Sequence, residues 1–569
     1  MTSRAASAVT STVSPGRIHV ARRLLDPLII VAITVFTGLL STSQRWSGLD
    51  TPDSSFYASL GLFGDEITDR SVEQSYYWTR LGTIAPIRAL TGLLGTWRGF
   101  DAYRLILLLI IVAAAYVTLR RFTSRPSAAV ITVLISLSTV VLSYLSNSYL
   151  TGSVLAGTAA LIALAMSDTQ RAAVVAGVTL GWLAMVNPAG ALLAGVIWLT
   201  IRIHARTRPL QVLIAAGAAI VTFAVFLVIG RFIFPRMNWF ESFLATREIT
   251  MSNFASTSLV WLGDISLLVP AAVLVVVVVH WARNRGSRPA QLAFMISASS
   301  ITFMLVFSPL MGGIALEAPM YQAMLWPPAL MALGLAAASA IGDKPWGLDA
   351  KSWSCWATAA VAVVLVILAG HWPGSMSFAV GCLLAIALTA LAITALGSSR
   401  LIVILAGLAL FLAGAQLLQN SRGPLGLYYL SPYNWAFNAN PISEKIHTAV
   451  NTQEWLLANT TRNDQILSWV GADWVGGDRE LFVVAGMQLW GENRVTLEPT
   501  MSAADLERLN TIRPTTIAMY APTMQAITNF WSSIPSGSRA TAPNCYDFAW
   551  PNAGSPQGHA CLTTLTWSE

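Results

Sequence analysis

The residues best suited to chemistry lie between the first two apolar runs. Carboxylates are scarce in this chain, yet several occur in Leu49-Asp50-Thr51-Pro52-Asp53-Ser54-Ser55-Phe56-Tyr57 and in Asp65-Glu66-Ile67-Thr68-Asp69-Arg70. An aspartate held just beyond a membrane span sits where the dielectric falls and its charged form is disfavoured. Asp53 in such a place can accept a proton from a hydroxyl nucleophile near neutral pH, with Asp50 as its partner or alternative. A purely local role competes with this one, because Pro52-Asp53-Ser54 also suits the N-cap of an interfacial helix. Tyr57, Asp65, Glu66 and Tyr77 are substrate-contact candidates in the same segment. Glu317, in the otherwise uncharged connector from Gly312 to Pro319, is either a second site carboxylate or a helix cap.

The elements that must position these residues are membrane spans. Of 569 residues, 55% are hydrophobic and only 11% are charged, which is outside the range of soluble domains. Apolar length and breaker residues predict about thirteen spans, at 24–42, 103–120, 126–146, 150–167, 171–186, 189–204, 211–231, 264–281, 290–308, 321–341, 353–371, 375–396 and 400–419. The net charge of +7 comes from short basic clusters beside apolar runs, which records orientation and excludes nucleic acid as a partner.

Counting from a cytoplasmic N-terminus, alternate connectors contain Arg120, Arg121 and Arg125, then Arg171, then Arg202, Arg206 and Arg208, then Arg283, Arg285 and Arg288, then Lys344 and Lys351, then Arg400. The short connectors opposite, around Ser146 to Tyr149, Asn187-Pro188, Met311 to Pro319 and His371 to Met376, contain no Lys or Arg. The segment from Arg171 to Arg208 is basic at both ends and broken at Asn187-Pro188-Ala189-Gly190, so it reads as two short helices meeting near the outer face. This places three polar segments outside: loops 43–102 and 232–263, and the tail.

The expected organisation is thus a disordered cytoplasmic stretch 1–23, a helical membrane module 24–419 and an extracytoplasmic α/β domain 420–569. In the tail, the pattern predicts a helix near Ser443 to Leu457, strands at Gln465 to Val470, Arg494 to Leu497 and Thr515 to Tyr520, and helices around Glu480 to Leu489 and Ala503 to Leu509. Cys545 and Cys561 share this tail and form a disulfide candidate if it faces an oxidising compartment. Trp469, Trp474 and Trp490 suit either sugar stacking or a hydrophobic core. There is no phosphate-binding glycine loop and no nucleophile elbow. No His/Cys/Asp cluster has metal-ligand spacing, so a divalent metal has no support in the sequence.

The first loop resembles that of the GT-C superfamily of membrane glycosyltransferases, in particular the protein O-mannosyltransferase and aminoarabinose-transferase branch. The resemblance rests on the acidic motif with a nearby tyrosine, Asp53 and Tyr57, and on Tyr77-Trp78-Thr79-Arg80-Leu81-Gly82-Thr83-Ile84-Ala85-Pro86. The paired short helices around Asn187-Pro188 and the outer domain after the last span extend it over most of the chain. It implies a polyprenyl-phosphate-linked sugar donor, Asp53 as catalytic base, and a glycan, lipoglycan or protein acceptor outside a bacterial inner membrane. An endoplasmic-reticulum enzyme would have the same orientation. A lipid-phosphate donor calls for guanidiniums at the outer interface, for which Arg80, Arg231, Arg236 and Arg247 are candidates, their competing roles being interfacial snorkelling or surface ion pairs. One departure is Ser146-Asn147-Ser148-Tyr149-Leu150-Thr151, where many members of the family place a second acid.

Two other classes compete: a transporter or lipid flippase, and a non-catalytic membrane scaffold related to glycosyltransferases. The near absence of charge inside the spans weighs against transport. The missing second acid favours a scaffold.

Overall fold

The computed structural model describes residues 15–40, 79–136, 150–206, 208–235, 265–310, 323–341, 464–472, 500–534, 537–549 and 557–568, with isolated positions between them such as Tyr57. The expected spans 353–371, 375–396 and 400–419, with Cys355 and Cys382, lie outside the described residues, as do Trp490 and the expected helix around Glu480 to Leu489.

The first part is a helical bundle. Its elements are α1 (Pro15–Leu40), α2 (Leu81–Leu94), α3 (Thr96–Arg120), α4 (Arg125–Ser136), α5 (Thr151–Ala165), α6 (Gln170–Val186), α7 (Pro188–His204), α8 (Pro209–Ile233), α9 (Ile265–Arg283), α10 (Arg288–Leu310) and α11 (Trp326–Ile341), the last entered through a 3-10 turn at Ala323–Leu325. Among the described residues, Arg98–Arg120, Pro209–Ile233 and Arg288–Val306 are long and apolar enough to cross a membrane by length and composition, and shorter apolar helices pack beside them. The architecture is mainly helical and multi-pass.

Breakers and caps account for the helix ends. Pro188 and Pro209 open α7 and α8 at the position where a missing N–H costs nothing. Asn187 divides the expected pair of short helices: its Oδ1 accepts from the N–H groups of Ala189 at 3.0 Å and Gly190 at 3.2 Å. Glycines bring helices close. A Cβ at Gly181 of α6 would lie 2.5 Å from the Ala219 carbonyl oxygen of α8, and Gly177, four residues earlier, faces Ala215 in the same way. Small residues spaced by four are how apolar helices gain close packing where lipid supplies no hydrophobic drive between them. The far side of α8 remains apolar and open, with Leu213, Ile220 and Val228 more than half exposed, as a lipid-facing surface should be.

Polar contacts define two ends of the bundle. At one, Asp26 of α1 accepts from Arg125 Nε of α4 at 2.7 Å and from the Tyr116 hydroxyl of α3 at 2.8 Å. There too, Arg202 of α7 donates to Asp168 Oδ1 at 2.8 Å, to the Ser167 carbonyl at 2.7 Å and to Gln211 of α8. At the other, Thr37 meets Ser136 at 3.0 Å and Tyr103 meets Ser153 at 2.6 Å. The fold therefore gathers Arg120, Arg121, Arg125, Arg171, Arg202 and Arg208 at one end, the pattern expected from alternating connectors.

Two elements of the helical part differ from expectation: α1 begins at Pro15, inside the stretch 1–23 expected to be disordered, because the apolar run of the first span extends its helix back through Arg22 and Arg23. Residues 81–94, expected as part of an outer loop, form α2, an apolar helix buried over its first half, at Leu81 to Ile84 and Ile87, and exposed at Leu93 and Leu94. At fourteen residues and 1.5 Å per residue it is about 21 Å long, too short to read as a span, and Pro86 inside it reads as a breaker. Pro86 removes the N–H that would bond the Gly82 carbonyl, and the Trp182 indole of α6 donates to that carbonyl instead, at 2.8 Å.

The described part of the tail is a mixed sheet of β1 (Ile466–Val470), β2 (Thr496–Leu497), β3 (Thr516–Ala521), β4 (Ser538–Ala540), β5 (Asn544–Ala549) and β6 (Gln557–Trp567), with helices α12 (Ala503–Ile512) and α13 (Met524–Ser532). The order is β2-β1-β3-β6-β4, with β5 also on β6. The first three strands run parallel, as the expected α/β alternation requires, whereas β6 is antiparallel to β3, β4 and β5. The antiparallel half was not anticipated, because polar and apolar residues there do not separate into clean runs. Ser502 and Asp505 close a capping box on α12. Trp469 stacks on Phe530 at 4.2 Å and is buried, which makes it a core residue.

Candidate functional site

Of the residues singled out in the sequence, Asp50, Asp53, Asp65, Glu66, Tyr77, Arg236, Arg247 and Glu317 lie outside the described residues, as does the stretch from Ser146 to Tyr149. Tyr57, Arg80, Arg231, Cys545 and Cys561 are described.

Arg80 sits immediately before α2, where its carbonyl accepts from the N–H groups of Thr83 at 3.0 Å and Ile84 at 3.1 Å. Its side chain is only 7% exposed. This guanidinium is thus sunk into the end of the bundle opposite the basic connectors, not snorkelling from it. Tyr57 is fully buried in the same helical core as Leu81 and Ile84. Gly61, just beyond it, packs against α2: a Cβ there would lie 3.1 Å from Ile87 Cβ. Arg231, by contrast, is exposed in the last turn of α8.

The surroundings of Arg80 follow from close approaches. Gly82 abuts α6, where an added Cβ would meet Val186 Cγ2 at 2.6 Å, one residue before the Asn187 cap. Gly190 of α7 abuts Val154 of α5 at 2.9 Å by the same measure, and the neighbouring Ser153 bonds Tyr103. The start of α2, the start of α3, the start of α5 and the α6–α7 turn therefore converge. Asn187 satisfies two N–H groups of α7 without adding negative charge, and the first turn of that helix contains no acidic residue. Arg80 and the N-terminus of α7 are positive features that the described residues place at this end.

Tyr103, Ser153 and Arg104 were not singled out as site residues by sequence reasoning. Arg104 is 6% exposed, with Asp101 3.8 Å away. The signal was present: a charge and two hydroxyl-bearing residues set within apolar helices are costly in a membrane protein and mark polar interiors. In the tail, the structure joins Cys545 to Cys561 across the β5–β6 ladder, with Cα atoms 4.1 Å apart.

No family model and no curated protein matches the chain. Solved structures do. The ArnT protein from Cupriavidus metallidurans bound to undecaprenyl phosphate superposes with a TM-score of 0.51 at 14% identity, covering 94% of this chain and 97% of that one. The same protein in the apo state gives 0.48 at 13% identity. The arabinofuranosyltransferase AftD from Mycobacteria gives 0.45 at 14% identity, and the match covers 95% of this chain and 40% of that one. The first of these likenesses shows the fold: the chain has the overall architecture of that ArnT structure.

Proposed function

We propose that the protein is a membrane glycosyltransferase that moves a sugar from a polyprenyl-phosphate donor to an extracytoplasmic acceptor, a cell-wall glycan, lipoglycan or protein. The observation that carries this reading is Arg80, a guanidinium buried at the end of the bundle away from the basic connectors, in a fold seen in ArnT with undecaprenyl phosphate bound. By the positive-inside bias that end is extracytoplasmic, and the tail domain lies on the same side.

In this reading an acceptor hydroxyl attacks the anomeric carbon of the donor sugar and gives its proton to the Asp53 carboxylate, with Asp50 beside it. The glycosidic C–O bond to phosphate breaks, and polyprenyl phosphate departs with the bonding electrons. Its charge is met by Arg80, and by Arg236 and Arg247 from the loop after α8. Asp65, Glu66, Tyr77 and Glu317 are assigned to substrate contact; Tyr57 is not, because it is fully buried in the helical core.

The test is transfer of radiolabelled sugar from a panel of polyprenyl-phosphate sugars to native membrane acceptors by the purified protein. Wild type is expected to transfer, and Asp53→Asn, folded to the same extent, to lose about 10²-fold or more of that rate. Undiminished transfer by Asp53→Asn removes that residue from the chemistry.

A further inference from the structure

The basic end of the bundle holds a cavity of about 430 Å³ between the ends of α3, α5 and α7 and the start of α10. Phe122, Met166 and Leu292 give it an apolar wall, and Arg121, His204 and Arg288 line it with cationic or cation-capable side chains. We propose that this cavity binds the phosphate of an anionic phospholipid from the cytoplasmic leaflet, held by the guanidiniums of Arg121 and Arg288, with the glycerol and first methylenes against the apolar wall.

The positive-inside bias explains why these connectors are basic. It does not explain why two of them, far apart in sequence, aim arginines at one apolar-walled cavity. Arg121 is oriented by donating to the Met166 carbonyl. Partial desolvation, and then the like charge of Arg288, pull its guanidinium below the usual arginine range, with Asp168 opposing. The two cations therefore repel each other across the cavity, a cost that an anion between them would remove. Asp168, the carboxylate on the wall, is already engaged by Arg202 at 2.8 Å. Neither Arg288 nor His204 has a hydrogen-bond or ion-pair partner among the described residues.

The apolar wall selects a lipid over a soluble phosphate. Ile201, on the same helix as His204, adds to that wall. Basic pockets between transmembrane helices at the cytoplasmic face have the chemistry that anionic headgroups require. The site is distinct from the outer end and is independent of the proposed glycosyl transfer.

Native mass spectrometry of the full-length protein in detergent tests this, with phosphatidylglycerol and phosphatidylcholine of matched acyl chains as probes. Wild type is expected to retain phosphatidylglycerol preferentially. Arg121→Gln with Arg288→Gln is expected to weaken that retention about tenfold or more, and Arg121→Lys with Arg288→Lys to keep most of it. A second measurement needs no variant: phosphatidylglycerol should raise the melting temperature of wild type more than phosphatidylcholine does. Equal retention of the two lipids, an unchanged preference in the glutamine pair, or displacement of the lipid by inorganic phosphate would each overturn the assignment, the last by giving the site to a soluble anion.

Discussion

The Trp182 indole nitrogen lies 2.8 Å from the Gly82 carbonyl oxygen, the acceptor that Pro86 leaves without its helical donor. The two substitutions should therefore be coupled. Trp182→Phe leaves a buried carbonyl without a donor and is expected to destabilise the protein by about 1–3 kcal/mol. Pro86→Ala restores an N–H four residues on, so the double variant should recover part of the loss. A double-mutant cycle in detergent unfolding checks this, and additive effects would mean that the indole contact does not replace the missing helical bond.

Gly181 should tolerate nothing larger than hydrogen. Gly181→Leu forces α6 and α8 apart and is expected to cost about 1–3 kcal/mol or more. Gly217 in α8 has open space where its Cβ would be, so Gly217→Ala should be neutral or stabilising by about 0.5–1 kcal/mol. Melting curves of the two variants side by side separate close packing from helix propensity.

Arg202 ties together the ends of four helices through Asp168, Gln211 and two backbone carbonyls. Arg202→Met keeps the apolar stem and removes every donor. The expected loss is about 1.5–3 kcal/mol in global unfolding, larger than for Arg206→Met, which changes an exposed side chain. Equal effects of the two would show that charge near the membrane surface, and not the hydrogen-bond network, is what Arg202 contributes.

The Cys545–Cys561 bond closes a segment with a sequence separation of 16. Replacing both residues by alanine is expected to lower the stability of the tail domain by about 3 kcal/mol through the freed unfolded chain. Maleimide labelling of denatured full-length protein should reach these two thiols only after reduction. Labelling of Cys545 and Cys561 themselves without reductant, beyond that of Cys355 and Cys382, would place the tail in a reducing compartment and contradict the proposed orientation.

Much of the helical architecture was legible because lipid imposes one rule, a run of apolar residues ended by breakers. Asn187-Pro188 and Arg208-Pro209 mark turns in the sequence, and they are turns in the structure. Residues 81–94 were not legible, since a proline in the sixth position and a length below one span both argue against a helix that tertiary contacts nevertheless support. In the tail, β1 to β3 announce themselves as apolar runs, whereas β5 has a mixed pattern and gains its place only by pairing with β6. Arg80 was legible as a candidate, but its burial was not, because the start of α2 is fixed by packing of Gly82 against Val186 and Trp182 about a hundred residues away. Arg121 and Arg288 read in the sequence as orientation markers alone, and their shared cavity exists only once α10 packs beside α7.

Helices α5, α6 and α7 contain 15, 17 and 17 residues. At 1.5 Å per residue they reach only about 22 to 26 Å, against a hydrocarbon thickness of about 30 Å. Where α6 and α7 expose apolar side chains, the protein is thinner than the bilayer it occupies, so the lipid must pinch inward or the tops of these helices must lie below the headgroup plane. Either way Arg80 and the Asn187 turn sit at the floor of a dimple. A lipid-linked phosphate would meet them lower than its neighbours lie, and membrane thickness itself becomes a variable that sets how readily a donor reaches the site.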